Sequence, residues 1–103
     1  MGLFQKLFGG TTAPNLKEII HAGAFLVDVR TPGEFAEGHV KGSVNIPLDK
    51  LPAQLQKFTG KKNIIVFCRS GNRSAQARSI LLQNGFSNVI NGGAWSNVNR
   101  FVD

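Results

Sequence analysis

Residues 63–68, NIIVFC, carry the strongest constraint in the sequence: from Ile64 to Cys68 every side chain is apolar. A run this short, bounded by polar residues and apolar on both faces, reads as a strand buried inside a parallel sheet. Parallel strands need long crossovers, usually helical, so helix-period and strand-like segments should alternate around it. They do. NLKEIIHAG reads as a short helix, with Asn15 as N-cap, a stripe of Leu16, Ile19 and Ile20, and Gly23 as its stop. AFLVDV at 24–29 is a buried strand interrupted by Asp28. TPGEFAEG opens with Thr31 as cap and Pro32 as the first helical residue, and closes at Gly38. SVNIP is a short strand ended by Pro47. Helical spacing returns through Leu48, Leu51, Leu55 and Phe58, with Asp49 as a candidate cap. After the central strand, residues 74–84 are helical and stop at Gly85. There Ala77, Ile80 and Leu81 face one way, while Ala75 and Leu82 face nearly the other, which predicts a deeply placed helix. NVI at 88–90 is a last strand, and NGGAW turns into a terminal helix containing Val98, Phe101 and Val102. The expectation is one α/β domain, a mostly parallel central sheet with helices on both faces.

At 103 residues the chain is long enough for one core without staples. Its single cysteine cannot form an internal disulfide, so the fold needs no oxidising compartment, and a cytoplasmic location is expected. Residues 1–13 form an N-terminal extension in which Leu3, Phe4, Leu7 and Phe8 share a helical face. It lacks the long apolar core and cleavage site of a signal peptide, and Lys6 stands where a myristoylation signal wants Ser or Thr. The expectation is that it packs on the domain or frays. No stretch is long and apolar enough to suggest a transmembrane segment. The formal charge of +6 attracts anions, but the only adjacent basic pair is Lys61–Lys62. That is too little clustering for a nucleic-acid footprint, and a small anionic substrate is the better match.

The one thiol sits where the central strand gives out, facing the polar loop CRSGNRSA at 68–75. In open α/β sheets, ligands bind beyond the carboxyl ends of the strands. The loop feeds a helix whose first N–H groups lack partners and whose dipole is positive at that end. Gly71 lets the loop curl so that successive amides converge, and Arg69 and Arg73 add positive charge. Helix N-termini and cations lower a cysteine's pKa and favour the thiolate. Cys68 is therefore the candidate nucleophile.

CRSGNRSA resembles the active-site loop of the rhodanese (thiosulfate sulfurtransferase) family. LVDVRTPGEFAEGHVKGSVNIPL at 26–48 is similar to a second signature of that family, and VINGGAWSN to its Gly-Gly…Trp ending. The likeness covers about residues 15–97, with Val40 and Ser43 as conservative departures and an N-terminus short for the family's first strand. It implies a three-layer rhodanese-like fold and two-step sulfur transfer. Cys68 would take a sulfane sulfur from a donor such as thiosulfate, becoming a persulfide, and pass it to cyanide or a thiol. Arg69, Ser70, Gly71, Asn72 and Arg73 would form the substrate-binding loop, with backbone amides stabilising the persulfide and the departing sulfite. Asp28, Arg30 and Ser74 would be supporting residues, although Asp28 and Arg30 read equally well as a structural ion pair. The resemblance implies no cofactor and no metal.

Two other readings remain open. A persulfide carrier delivering sulfur to a protein acceptor would use the same loop. A cysteine phosphatase related to this fold has a longer loop between Cys and Arg, to wrap a phosphoryl group; here only Arg69, Ser70, Gly71 and Asn72 intervene. An arsenate reductase would commonly need a resolving cysteine, which is lacking here. His39, a possible general base by type, has no partner spaced for triad or metal work and is expected to make turn hydrogen bonds. Trp95 and Phe35 are expected in the core or at its rim.

Overall fold

The structure, a computed structural model, describes residues 15–102. The expectations for residues 1–13 lie outside that range. In chain order the elements are α1 (Leu16–His21), β1 (Phe25–Asp28), α2 (Pro32–Glu37), β2 (Val44–Asn45), two 3-10 turns (Leu48–Ala53 and Leu55–Phe58), β3 (Ile64–Cys68), α3 (Asn72–Gln83), β4 (Val89–Ala94) and α4 (Trp95–Asn99). The strands make one sheet in the order β2-β1-β3-β4. Every pairing is parallel, with Phe25 opposite Ile64 and Ile64 opposite Val89.

The core is split by the sheet. On one side Val27, Ile64, Val66, Cys68 and Val89 pack with Ala77 and Leu81 of α3 and with Leu51 and Phe58 of the 3-10 turns. On the other, Leu26, Ile65 and Phe67 pack with Val98 of α4 and with Leu16, Ile19 and Ile20 around α1. Alternate residues of β3 therefore serve opposite layers, which is why the run is apolar throughout. All five of its residues are buried. Helices on both faces give the expected three layers.

The helix ends follow their sequence signals. Asn15 accepts from the Glu18 N–H at the start of α1. Thr31 and Glu34 form a reciprocal capping box on α2, with Pro32 at the first turn. Gly85 closes α3 with φ +92°, a left-handed conformation that favours glycine.

Three expectations are corrected. Residues 48–58 form 3-10 turns, and the turn at 48–53 follows Pro47 without a cap from Asp49. Pro52 lies inside it, where a proline removes the N–H that an α-helix would use. Helix α3 is buried on one side only: Ala75 is exposed and Leu82 keeps 39% of its surface in solvent. A small alanine and a single leucine do not demand a second apolar neighbour. Strand β4 also runs past residue 90, through Gly92 and Gly93 to Ala94. Its pairing with β3 shifts register between Val66 and Phe67, so that Asn91 faces Val66 but Gly93 faces Phe67. This bulge re-aims Asn91.

Candidate active site

Cys68 ends β3, and α3 begins at Asn72 on the far side of a tight loop. Gly71 sits at the helix N-cap with φ +102° and offers no side chain to cap it. The orphan N–H groups of the helix start are thereby left to the sulfur. The Gly71 N–H donates to Cys68 Sγ at 3.0 Å, and the Ser74 hydroxyl lies 3.5 Å from it. Cys68 faces that loop at the end of the strand, as expected, but it has no exposed surface, because the loop closes over it. Burial pushes the Cys68 thiol up, but the Ser74 hydroxyl and the N–H groups of Ser74, Gly71 and Ser70 outweigh it and hold the thiol below its ordinary value. The group is built to carry negative charge on sulfur.

The two arginines part company. Arg69 is exposed and lines a hollow of about 310 Å³ together with Arg30, Glu34, Glu37, Gly38 and Trp95. Arg73 turns to α2, where its guanidinium donates to both carboxylate oxygens of Glu34, at 2.7 and 3.0 Å. The same carboxylate accepts from the Thr31 N–H and hydroxyl, so one side chain caps α2 and anchors α3. The Arg73 hydrogen bonds, helped by the Thr31 N–H, hold Glu34 down at about 2. Beyond Arg73 lies a second hollow of about 310 Å³, mostly apolar, lined by Val29, Thr31, Pro47, Leu48 and Asp49. Asn72 opens α3 and is exposed, as is Ser70.

Asp28 and Arg30 form a buried ion pair, with Arg30 Nη2 at 2.6 Å from Asp28 Oδ2. Arg30 also donates to the Gly38 carbonyl and lies over the Trp95 ring at 4.7 Å. The pair thus ties the end of β1 to the end of α2 and frames the polar hollow. His39 donates from Nδ1 to the Phe35 carbonyl at 2.8 Å and stacks on the Phe35 ring, which makes it a turn residue. Among the described residues no three His, Cys, Asp or Glu side chains gather as a metal site. No helix among them is long and apolar enough to cross a membrane.

Sequence reasoning missed two residues here. Glu34 was read only as one residue of the TPGEFAEG helix, although its place three residues after Thr31 is the signal of a capping box. Asn91, on β4, accepts from the Ser74 hydroxyl at 2.6 Å and from the Gly93 N–H at 2.9 Å, and donates to the Gly71 carbonyl at 3.3 Å. Only its place before the two glycines hinted at a bulge.

Comparison with known proteins agrees with this layout. A family model described as "Rhodanese-like domain" matches residues 12–97. The chain is 37% identical over 75 residues to a protein of Allochromatium vinosum named sulfurtransferase, covering 69% of this chain and 70% of that one. It is 32% identical over 81 residues to the Escherichia coli thiosulfate sulfurtransferase PspE, covering 77% and 78%. The structure of the human single-domain sulfurtransferase TSTD1 superposes with a TM-score of 0.70 at 29% identity, covering 86% of this chain and 95% of that one. With its parallel sheet, its cysteine loop and a match spanning most of its length, the chain belongs to the rhodanese-like domain family.

Proposed function

We propose that this chain is a sulfurtransferase in which Cys68 carries the travelling sulfur as a persulfide. One observation carries the reading: a buried sulfur at the end of a parallel strand, met at 3.0 Å by the Gly71 amide and flanked by the Ser74 hydroxyl. Such donors favour the thiolate, which is the nucleophile. The Cys68 thiolate attacks the outer sulfur of a donor such as thiosulfate. A bond forms between the two sulfurs, the donor's own S–S bond breaks, and its electron pair leaves with sulfite. Total charge is unchanged, but the negative charge moves to the outer sulfur of the persulfide. The Gly71 amide, 3.0 Å from Sγ, favours the charged sulfur before the step, and the neighbouring loop amides would be the donors nearest the persulfide after it. An acceptor thiolate or cyanide then attacks the outer sulfur, and Cys68 leaves as thiolate.

Arg69 has no ion-pair partner among the described residues, so it is the loop's free cation for drawing in a dianionic donor. Arg73, neutralised by Glu34, contributes chiefly by fixing the loop's entry into α3. Asp28 and Arg30 support the same mouth from β1.

Turnover with thiosulfate and cyanide tests the reading. Rapid thiocyanate formation, abolished in Cys68→Ser, is the expected result. A persulfide that forms but turns over slowly would identify a carrier serving a protein acceptor. Hydrolysis of an aryl phosphate with no sulfur transfer would identify a phosphatase and overturn the proposal.

A further inference from the structure

The Ser74 hydroxyl has one proton and faces three acceptors. Its Oγ lies 2.6 Å from Asn91 Oδ1, 3.0 Å from the Gly71 carbonyl and 3.5 Å from Cys68 Sγ. The orientation of the Asn91 amide is fixed by its other contacts. The Gly93 N–H needs an acceptor and finds Oδ1, while Nδ2 turns to the Gly71 carbonyl. That carbonyl already receives the Ala75 N–H at 3.0 Å, so it is the least available of the three acceptors. The contest for the proton is therefore between Asn91 and the sulfur.

We propose that Asn91 is a positioning residue, the alternative acceptor of the Ser74 proton, and that it thereby governs how readily Cys68 ionises. The inference deepens the reading of Cys68 as the sulfur-carrying nucleophile and rests on it for its functional meaning. While Cys68 is a thiol, its S–H donates to Ser74 Oγ, and the Ser74 proton goes to Asn91. When the thiol proton leaves to water, the Ser74 hydroxyl turns and donates to the thiolate. Once the outer sulfur is attached, Sγ is no longer the charged atom, and the Ser74 proton returns to Asn91. No covalent bond changes at Ser74 or Asn91 in this cycle. Asn91 keeps the hydroxyl satisfied in every state in which sulfur does not need it, and so weights the equilibrium away from the bare thiolate.

Among the described residues, the charged groups around Cys68 are few. They are Arg69 in its loop, Arg73 on α3 paired with Glu34 of α2, and the Asp28–Arg30 pair at the end of β1. Strand β4 brings no titratable side chain. Asn91 is itself exposed, at the edge of a hollow between α3 and β4 that Ser79 also lines, so the fold has room for substitutions there.

The test is the pH profile of Cys68 alkylation by iodoacetamide, which reads thiolate content and does not depend on sulfur transfer. Asn91→Ala frees the Ser74 proton for sulfur, so alkylation at a pH below the midpoint becomes several-fold faster. Asn91→Asp strengthens the competing acceptor and makes it several-fold slower. Ser79→Asp, which adds the same charge outside the network, leaves the profile near wild type. In a Ser74→Ala background the effect of Asn91→Ala disappears, a coupling that general loosening of the loop would not produce. The proposal is overturned if Asn91→Ala leaves the profile unchanged or moves it alkaline, if its effect survives undiminished without Ser74, or if Asn91→Asp and Ser79→Asp act alike. A protein that lacks sulfur transfer but still shows faster alkylation in Asn91→Ala and slower alkylation in Asn91→Asp would refute the sulfurtransferase reading and leave the proton contest standing.

Discussion

Arg73 and Glu34 lie 39 positions apart in the sequence and meet through two parallel hydrogen bonds of 2.7 and 3.0 Å. Both side chains are about one-third exposed or less. The pair joins the cap of α2 to the first turn of α3, which carries the loop over Cys68. Paired forks of this kind are among the stronger ionic contacts. Arg73→Ala and Glu34→Ala should each lower unfolding free energy by about 1–2 kcal/mol, between the ranges for exposed and buried pairs. The double variant should cost less than the sum of the two. Urea melts of the full cycle measure this, and strict additivity would mean that the bridge does not couple the two helices.

Glu34 also predicts the acid limb of stability. Its carboxyl titrates at about 2 in the folded protein against an ordinary 4.5, chiefly because Arg73 favours the ionised form. A depressed carboxyl pKa contributes stability that is complete above about 4.5 and fades as pH falls through the folded value. Glu34→Gln should therefore flatten the loss of stability between these limits while lowering stability near neutrality. Thermal melts across that range would contradict the assignment if the two proteins lost stability in parallel.

How far the sequence could be read depends on the range of each contact. Thr31 and Pro32 announce the start of α2 because a cap and a first-turn proline act on the backbone beside them. The thiol's place at the end of β3 was legible because an all-apolar run has few alternatives. Its complete burial was not, since the loop's closure depends on Gly71 taking φ +102°. Helical spacing at 48–58 misled because leucine periodicity cannot register what Pro52 does to the backbone. Asn91 and the Glu34–Arg73 bridge escaped notice for a different reason. Their partners are brought near only by the sheet and, for Asn91, by a bulge that moves one strand against its neighbour.

The bulge itself rests on Gly92. A methyl group there would meet Val98 Cγ2 at 2.7 Å and Ile65 Cγ2 at 3.0 Å, in the layer between β4 and α4. Gly92→Ala should destabilise the fold by about 1–3 kcal/mol through overpacking and displace Asn91 from Ser74. A lowered melting temperature is the expected outcome, and a wild-type value would show that the layer has slack.

Charge at the mouth separates the arginines by kinetics. Arg69→Ala should raise KM for thiosulfate and reduce kcat/KM by about fivefold, or roughly 1 kcal/mol, with little change in kcat. The deficit should shrink in high salt, as exposed charge is screened. Lys57, an exposed cation on a 3-10 turn, should behave as wild type when changed to alanine. Equal effects at Arg69 and Lys57 would reduce the role of the loop arginine to general electrostatic attraction.

The most direct measurement is the intact mass of the protein after incubation with thiosulfate under non-reducing conditions. Wild type should gain the mass of a single sulfur atom, lose it on adding cyanide, and form thiocyanate in matching amount. Cys68→Ser should gain nothing while keeping a folded circular dichroism spectrum. An unmodified wild-type mass in excess donor, or a sulfur that Cys68→Ser also acquires, would contradict transfer through a Cys68 persulfide.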